Sequence, residues 1–363
     1  MPPILIGRED VISDFAEGIE NGAGAPSRLM LLSGQRGYGK TVLLVELARV
    51  ARSYGWETVR QTAAEGMCGR IVEALRGGRA QVTSATLEPS ISIPGVVGAS
   101  VGKIGLERPS SLSVRQAIEE RLAAMEDGKG ILFTIDEAQA ARRGEMVALA
   151  TAIQEVIGDE DMRDVPDSKK HGIAFAFAGL PSIVDDLVND KVLTFLQRAT
   201  RHNLDAIHVP DVRNAYVQTV VEAGMHVGKE AAQEAAEASE GYPYMVQLVG
   251  YYMWQAANRR RSSTIEHGDV AQAIDDAHRV FLDAVCAPAY RGLTKAQQTF
   301  LDAMATDWPS PSSVTAIAER LGKSRSWASA YRRSLMDANV IDGSEYGMVS
   351  YSIPHFGEYM SAK

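Results

Sequence analysis

Cysteine is nearly absent. The 363 residues include two, Cys68 and Cys286, far apart in sequence. That excludes a disulfide framework and suits a reducing compartment. Long apolar runs are also missing: none approaches the ~18–20 residues of a membrane span. The opening MPPILIGRED has neither a basic region nor a long apolar stretch, so no secretion signal is expected. Together these absences predict a cytoplasmic protein with no membrane partner. Excess positive charge is lacking too, since the formal net charge is −9. This argues against general affinity for nucleic acid, although one domain can still carry a basic surface. What remains is 45% hydrophobic and 23% charged residues, the balance of a globular protein long enough for two or three domains.

Against that background Leu29–Leu44 stands out, reading LMLLSGQRGYGKTVLL. An apolar run of strand length meets Gly34, then Gly39, Lys40 and Thr41, and apolar residues resume in a helical pattern. This is the G-x-x-x-x-G-K-[ST] phosphate-binding loop in its expected setting. Gly34, Gly37 and Gly39 let the backbone turn its N–H groups towards an anion. The helix beginning near Lys40 adds its positive dipole end. Lys40 can reach the β- and γ-phosphates, and Thr41 can ligate Mg²⁺. Gln35, Tyr38 and Val42 complete the candidate nucleotide contacts. Arg36 either faces the nucleotide or lies on the loop surface.

The remaining pattern alternates strands with helices. A helix is expected at Asp10–Ile19, strand one at Arg28–Leu32 and a helix at Lys40–Tyr54. Trp56–Gln61 reads as a strand, followed by helices at Gly66–Gly77 and Val114–Met125. Gly130–Ile135 is an apolar strand ending in Asp136-Glu137, with a helix at Glu145–Ile157 and a charged loop at Asp159–Lys170. Ile173–Ala178 and Asn203–Val209 read as further strands. Apolar strands separated by helices predict a parallel sheet covered on both faces. Thr83–Pro109, rich in glycine and β-branched residues, reads as a β-hairpin or a mobile insertion, with either a structural or a partner-binding role. From Pro210 the pattern is helical: Val212–Ala223, Lys229–Ser239, Tyr244–Arg259 and Ile265–Val285. Helices at Lys295–Ala305, Val314–Leu321 and Ser326–Ala338, then a hairpin at Asp342–Ile353, describe a winged helix-turn-helix. The expected domains are 1–209, 210–288 and 289–363.

Asp136 at a strand end can hold Mg²⁺, and Glu137 can orient or deprotonate an attacking water. A helix N-cap is the plainer alternative for this pair. Arg198 and Arg201 precede the Asn203–Val209 run; either can serve as a cation near a γ-phosphate, supplied by a neighbouring subunit, or simply mark a solvated helix end. Gly7 and Arg8 lie upstream of the phosphate loop, where they either cover an adenine or start a helix. Arg320–Met336 holds five basic and no acidic residues. Lys323, Arg325, Ser326, Arg332 and Arg333 there suit a recognition helix with phosphate contacts. The alternative is the solvated helix of a protein-binding winged helix. Trp327 is expected in the core.

On these motifs the chain resembles AAA+-type P-loop ATPases, in particular the origin-recognition/initiator-like and archaeal STAND-like group. The resemblance rests on GRE at Gly7–Glu9, GQRGYGKT at Gly34–Thr41, LFTIDEAQ at Leu132–Gln139, AGLP at Ala178–Pro181, GYPYMVQLVG at Gly241–Gly250 and the C-terminal winged helix. It implies an ATP site between the α/β domain and a helical lid, with Tyr242 and Pro243 at the lid-helix start. It also implies a trans-acting arginine, best matched by Arg198, and hence self-association. Two departures stand out. The family's polar sensor at the end of the fourth strand is replaced by IAFAFAG with Gly179 and then Ser182, and the lid helix opens without a basic residue. The expectation is an α/β P-loop domain with helical lid and winged helix that binds ATP and Mg²⁺ and hydrolyses slowly. Its output is either duplex DNA binding or, as in a STAND-like switch, binding of a protein partner.

Overall fold

The computed structural model describes residues 5–22, 25–34, 37–77, 113–180, 194–343 and 345–363. The Thr83–Pro109 segment, Gln35, Arg36, Pro181 and Ser182 lie outside the described residues. The chain divides into two compact units, with the boundary between Asp205 and Ala206.

The first unit is built on a five-stranded sheet in the order β2-β3-β4-β1-β5. Its strands are β1 (Leu29–Ser33), β2 (Glu57–Thr62), β3 (Gly130–Asp136), β4 (Gly172–Gly179) and β5 (Thr200–Asn203). All neighbouring pairs are parallel. Parallel strands need crossovers, and α2 (Lys40–Ser53), α3 (Met67–Arg76), α4 (Val114–Ala123) and α5 (Arg143–Asp161) lie in these connections, while α1 (Glu9–Asn21) precedes β1.

Alternation along the strands separates two cores. Leu31, Phe133, Phe175 and Phe177 face α3, α4 and α5. Met30, Leu32, Leu132, Ala174, Ala176 and Ala178 pack with residues of α1 and α2. The small β4 side chains on this second face leave room for α2, the helix that follows the phosphate loop. At the far end of the sheet Trp56, 6% exposed, lies across two glycines of adjacent strands. A Cβ on Gly172 would sit 2.1 Å from the indole Cζ2, and one on Gly130 would sit 2.4 Å from the Gly172 carbonyl.

Two expectations need correction. The strand expected at Asn203–Val209 lies earlier, at Thr200–Asn203. Its four residues pair with β1, the Leu204 N–H closes onto the Ser33 carbonyl at 2.7 Å, and the chain then leaves the sheet. Leu204 and Ile207 are buried in the connection, and Val209 opens a helix with Pro210 in its first turn. The charged run at Asp159–Lys170 is not wholly loop, because α5 continues to Asp161. On the exposed side of α5, Glu155 and Asp159 pair with Arg115 of α4 at 2.9 and 2.7 Å, whereas the Glu160 side chain is only 13% exposed.

The second unit begins with α6 (Val209–Glu222), α7 (Lys229–Ala238), α8 (Pro243–Arg259) and α9 (His267–Phe281). Two-residue strands, β6 (His226–Val227) and β7 (Thr264–Ile265), form a parallel pair among them. The helix expected at Ile265–Val285 is α9 followed by a π-type turn at Leu282–Cys286, which leads into α10 (Ala287–Arg291). Next come α11 (Lys295–Met304), β8 (Ser312–Ser313), α12 (Val314–Arg320), α13 (Arg325–Asp337), β9 (Ile341–Asp342), β10 (Met348–Tyr351) and α14 (Phe356–Ser361). The expected C-terminal hairpin is β9–β10, and β8 extends it to a sheet of order β8-β10-β9. Among the described residues no helix is long and apolar enough to cross a membrane.

The packing of Trp56 gives a direct test. Gly172→Ala should lower stability by about 1–3 kcal/mol, the usual cost of overpacking, read as a lower urea midpoint by far-UV circular dichroism. An unchanged midpoint would contradict this contact.

Candidate functional site

The parallel register places Ser33, Thr62, Asp136, Gly179 and Asn203 at the C-terminal ends of their strands, along one edge of the sheet. The phosphate loop leaves β1 at that edge and re-enters structure as α2. Gly37 and Gly39 both have φ of 84°, and Gly39 is the N-cap of α2. A side chain there would be strained, because this left-handed region is open chiefly to glycine. Gly34 is constrained differently. A Cβ at Gly34 would lie 2.9 Å from the Leu204 carbonyl, so the residue is small because β5's exit passes over it.

Lys40 is 6% exposed, and its ammonium donates to the Gly34 carbonyl at 2.7 Å. The side chain therefore reaches back to the start of the loop. Thr41 Oγ1 donates to Asp136 Oδ2 at 2.6 Å, joining residues 95 positions apart in sequence. The other Asp136 oxygen accepts from the Glu137 N–H at 2.9 Å. Glu137 has φ of 53°, a left-handed conformation uncommon outside glycine, and its carboxylate accepts from the Gln139 amide. Thr41, Asp136 and Glu137 thus present hard oxygen donors beside a buried cation and a helix N-terminus. That set suits Mg²⁺ and a polyphosphate, and a carboxylate beyond them can orient water.

Other groups at this edge had no local signature. Ser33 Oγ donates to Asn203 Oδ1 at 3.1 Å, and the Asn203 amide donates to both Asp205 oxygens at 2.9 and 3.0 Å. Arg8 Nη2 donates to the Asp205 carbonyl at 2.6 Å, so the Gly7-Arg8 segment is fastened to the exit of β5. Burial lowers the Arg8 pKa, against the opposing charges of Asp205 and Glu9. Arg60 of β2 is likewise lowered, first by burial and then by Arg52, while the charge of Asp136 opposes the shift. A second cation therefore faces the acidic strand end. Of this network the sequence had singled out only Gly7 and Arg8; Ser33, Asn203, Asp205 and Arg60 were not foreseen.

The remaining candidates are distributed over both units. Tyr38 is partly buried against the α1/α2 core. Val42 is half-buried in the first turn of α2. Arg198 is exposed at the end of a 3₁₀ turn, Thr194–Arg198, and Arg201 is exposed within β5 rather than before it. In the second unit, Gly241 has φ of 68° and exchanges a 2.8 Å hydrogen bond with Ile207. Tyr242 is 3% exposed with its ring edge-on to Phe281 at 5.4 Å. Pro243 opens α8.

In the basic segment, Lys323, Arg325, Ser326 and Arg333 are exposed. Arg332 is partly buried and donates to the Gly343 carbonyl at 2.8 Å, and Arg320 pairs with Asp307 at 2.8 Å. Ser324 caps α13 by accepting from the Trp327 N–H at 3.2 Å. Trp327 is partly buried, as expected of a core contact, between Tyr331 at 4.4 Å and Phe300 at 6.4 Å. Tyr346, between β9 and β10, is fully exposed.

Residues 4–158 match the AAA ATPase domain family, and residues 283–360 match a Domain of unknown function (DUF8462). No curated protein matches the chain in sequence. Among solved structures, the Aeropyrum pernix ORC2 protein in ADPNP–ADP complexes aligns over 100% of this chain and 94% of its own, at 12% identity and a TM-score of 0.64. The Aeropyrum pernix ORC1 protein in complex with DNA aligns over 100% and 94%, at 17% identity and a TM-score of 0.49. The Thermotoga maritima RuvB Holliday junction branch migration motor aligns over 98% and 96%, at 15% identity and a TM-score of 0.49. The sheet and the ORC2 match give the chain a P-loop AAA+ fold with a helical C-terminal region.

The buried Lys40 carries an energetic consequence. An ammonium inside a protein is costly even when hydrogen-bonded. Lys40→Met keeps the stem and removes the charge. The nucleotide-free variant should match the wild type or exceed it by up to about 2 kcal/mol in urea unfolding. A loss of more than about 1 kcal/mol would show that the ammonium holds the loop together.

Proposed function

We propose that the protein is a Mg²⁺-dependent ATP-binding switch with slow ATPase activity, whose C-terminal winged helix binds duplex DNA. The observation that carries the ATP reading is the 2.6 Å hydrogen bond between Thr41 and Asp136, which joins the phosphate loop to the acidic strand. The match of residues 4–158 to the AAA ATPase domain family supports it.

In this reading Lys40 and the loop N–H groups hold the β- and γ-phosphates. Thr41 and Asp136 hold Mg²⁺, which supplies charge neutralisation on the phosphate oxygens. Glu137 orients the attacking water and takes its proton. Arg198 or Arg201 from a neighbouring copy supplies a cation to the γ-phosphate; both are exposed and so available to a second chain. The end of β4 is Gly179-Leu180, with no side-chain hydrogen-bonding group to meet the γ-phosphate, which is the reason for assigning slow turnover. Functionally the chain has three parts: the ATPase domain 1–209, the helical lid 210–288 and the winged helix 289–363. The order α11, α12, α13 followed by the β8-β10-β9 sheet supports the last assignment. Lys323, Arg325 and Arg333 are the phosphate contacts, with Ser326 beside them. Arg332 serves chiefly to fasten α13 to Gly343.

A second reading keeps the ATP switch and gives its output to a protein partner. The net charge of −9 and the internal ties of Arg320 and Arg332 favour it.

Lys40→Ala should abolish MgATP binding in calorimetry, and unchanged affinity would remove the site assignment. Glu137→Gln should bind MgATP within about threefold of wild type while turnover falls at least ~100-fold; normal turnover would take Glu137 out of this role. The two outputs separate in a DNA gel shift with and without ATP. Removing the charges of Lys323, Arg325 and Arg333 together should weaken binding to every sequence and flatten the salt dependence. Wild type that fails to shift DNA at low salt would favour the protein partner.

A further inference from the structure

We propose that His278, His355 and Glu358 form a binding site for a divalent transition metal, with Zn²⁺ the best fit, that clasps α14 to α9. Among the described residues this is the one group of three or more histidine, cysteine or carboxylate side chains whose ligand atoms all lie within 4.8 Å of one another. His278 lies in the last turn of α9, His355 is the N-cap of α14, and Glu358 follows within α14. His278 Nε2 lies 2.6 Å from Glu358 Oε2, and His355 Nδ1 lies 3.3 Å from Glu358 Oε1. The two imidazoles meet edge-to-face at 5.0 Å.

The chemistry of the set is specific. Two imidazoles and a carboxylate make a borderline nitrogen–oxygen donor set, which suits Zn²⁺ with water in the fourth position. Tetrahedral ligands at 2.0–2.1 Å from zinc stand roughly 3.3 Å apart. The 3.3 Å separation equals that value, and the 2.6 Å contact between His278 and Glu358 has to open by roughly 0.7 Å to admit the ion.

The His355 ring meets Glu358 through Nδ1, while Nε2 lies on the far side of the ring. Its side chain is 8% exposed, and its Nε2 is buried with no hydrogen-bond partner. The backbone of His355 is left-handed, with φ of 57°. That conformation carries a cost for a residue with a side chain, and it sets the ring between His278 and Phe281, whose ring is 5.6 Å away. The π-type turn at Leu282–Cys286, a feature often found at functional sites, brings the chain back to the same place. There Cys286 Sγ donates to the Pro354 carbonyl at 3.8 Å. Burial, and then the charge of Glu358, pushes the Cys286 thiol up to about 12.

This site is independent of the nucleotide assignment, and its test uses the full-length chain without nucleotide. Excess Mg²⁺ in the buffer occupies the hard-oxygen donors at Thr41 and Asp136. Calorimetry with Zn²⁺, and visible absorption on titration with Co²⁺, should show one ion per chain with Kd below about 10 μM. His278→Gln and Glu358→Gln involve partly exposed side chains and should preserve the far-UV spectrum. Each should weaken binding about 10- to 100-fold or more and remove the Co²⁺ band. His267→Gln, which disrupts a separate His267–Glu234 pair, should change neither. Absence of Zn²⁺ binding at 100 μM-scale concentrations (roughly ten times that Kd) would overturn the proposal. So would equal affinity in wild type and both site variants.

Discussion

The hydrogen bond between Thr41 and Asp136 depends on sheet topology more than on either residue. β1 and β3 are not neighbours; β4 runs between them, parallel to both and in register. Only then do the ends of β1 and β3 reach the same edge. An antiparallel β3 would place Asp136 at the opposite edge, far from the helix that carries Thr41. The core supports this arrangement from both sides. Phenylalanines on one face of β3 and β4 fill the space beneath α3, α4 and α5, while alanines on the other face of β4 belong to the core shared with α1 and α2. The apolar interior therefore sets the geometry of a polar edge.

That edge carries local costs. A buried ammonium, a left-handed glutamate and glycines with positive φ are each unfavourable relative to an ordinary loop. Lys40, Glu137, Gly37 and Gly39 lie together where the sheet ends and the loop begins, while the central strands β3 and β4 beneath are almost wholly buried. Such clustering is common where a site is organised for a ligand rather than for stability. A helix dipole, Lys40 and Arg60 also gather there, and Asp136 and Glu137 balance them. In the proposed function, bound nucleotide and Mg²⁺ would add their own charges to this balance.

Much of the first unit was legible in the sequence. Strand β1, the loop, α2, β3 and β4 follow from apolar runs and from residue types that phosphate chemistry needs at fixed local spacing. What escaped is non-local or short. β5 reads TRHN, too polar to announce a strand; its pairing with β1 defines it, and the apolar residues after it mimic one. The two-residue strands β6, β7 and β8 have no periodicity to detect. The Arg8–Asp205 and Ser33–Asn203 contacts join residues far apart in sequence. In the second unit the longer helices were visible from their spacing and the hairpin from its turn residues, but the short α10 and α14 were not. The commitment of Arg332 to Gly343 was not, because a basic run on a helix looks the same whether its members face solvent or a neighbouring carbonyl. The His278–His355–Glu358 cluster was invisible for the same reason.

The central claim is that Thr41 and Asp136 act as one unit on a Mg²⁺-nucleotide. A double-mutant cycle with Thr41→Val, Asp136→Asn and the double variant, read by calorimetric MgATP affinity, tests this most directly. The account predicts a coupling of at least about 1 kcal/mol with Mg²⁺ present, falling towards zero when EDTA replaces it. Additive losses with Mg²⁺ present would contradict it, because the two side chains would then act on the nucleotide independently.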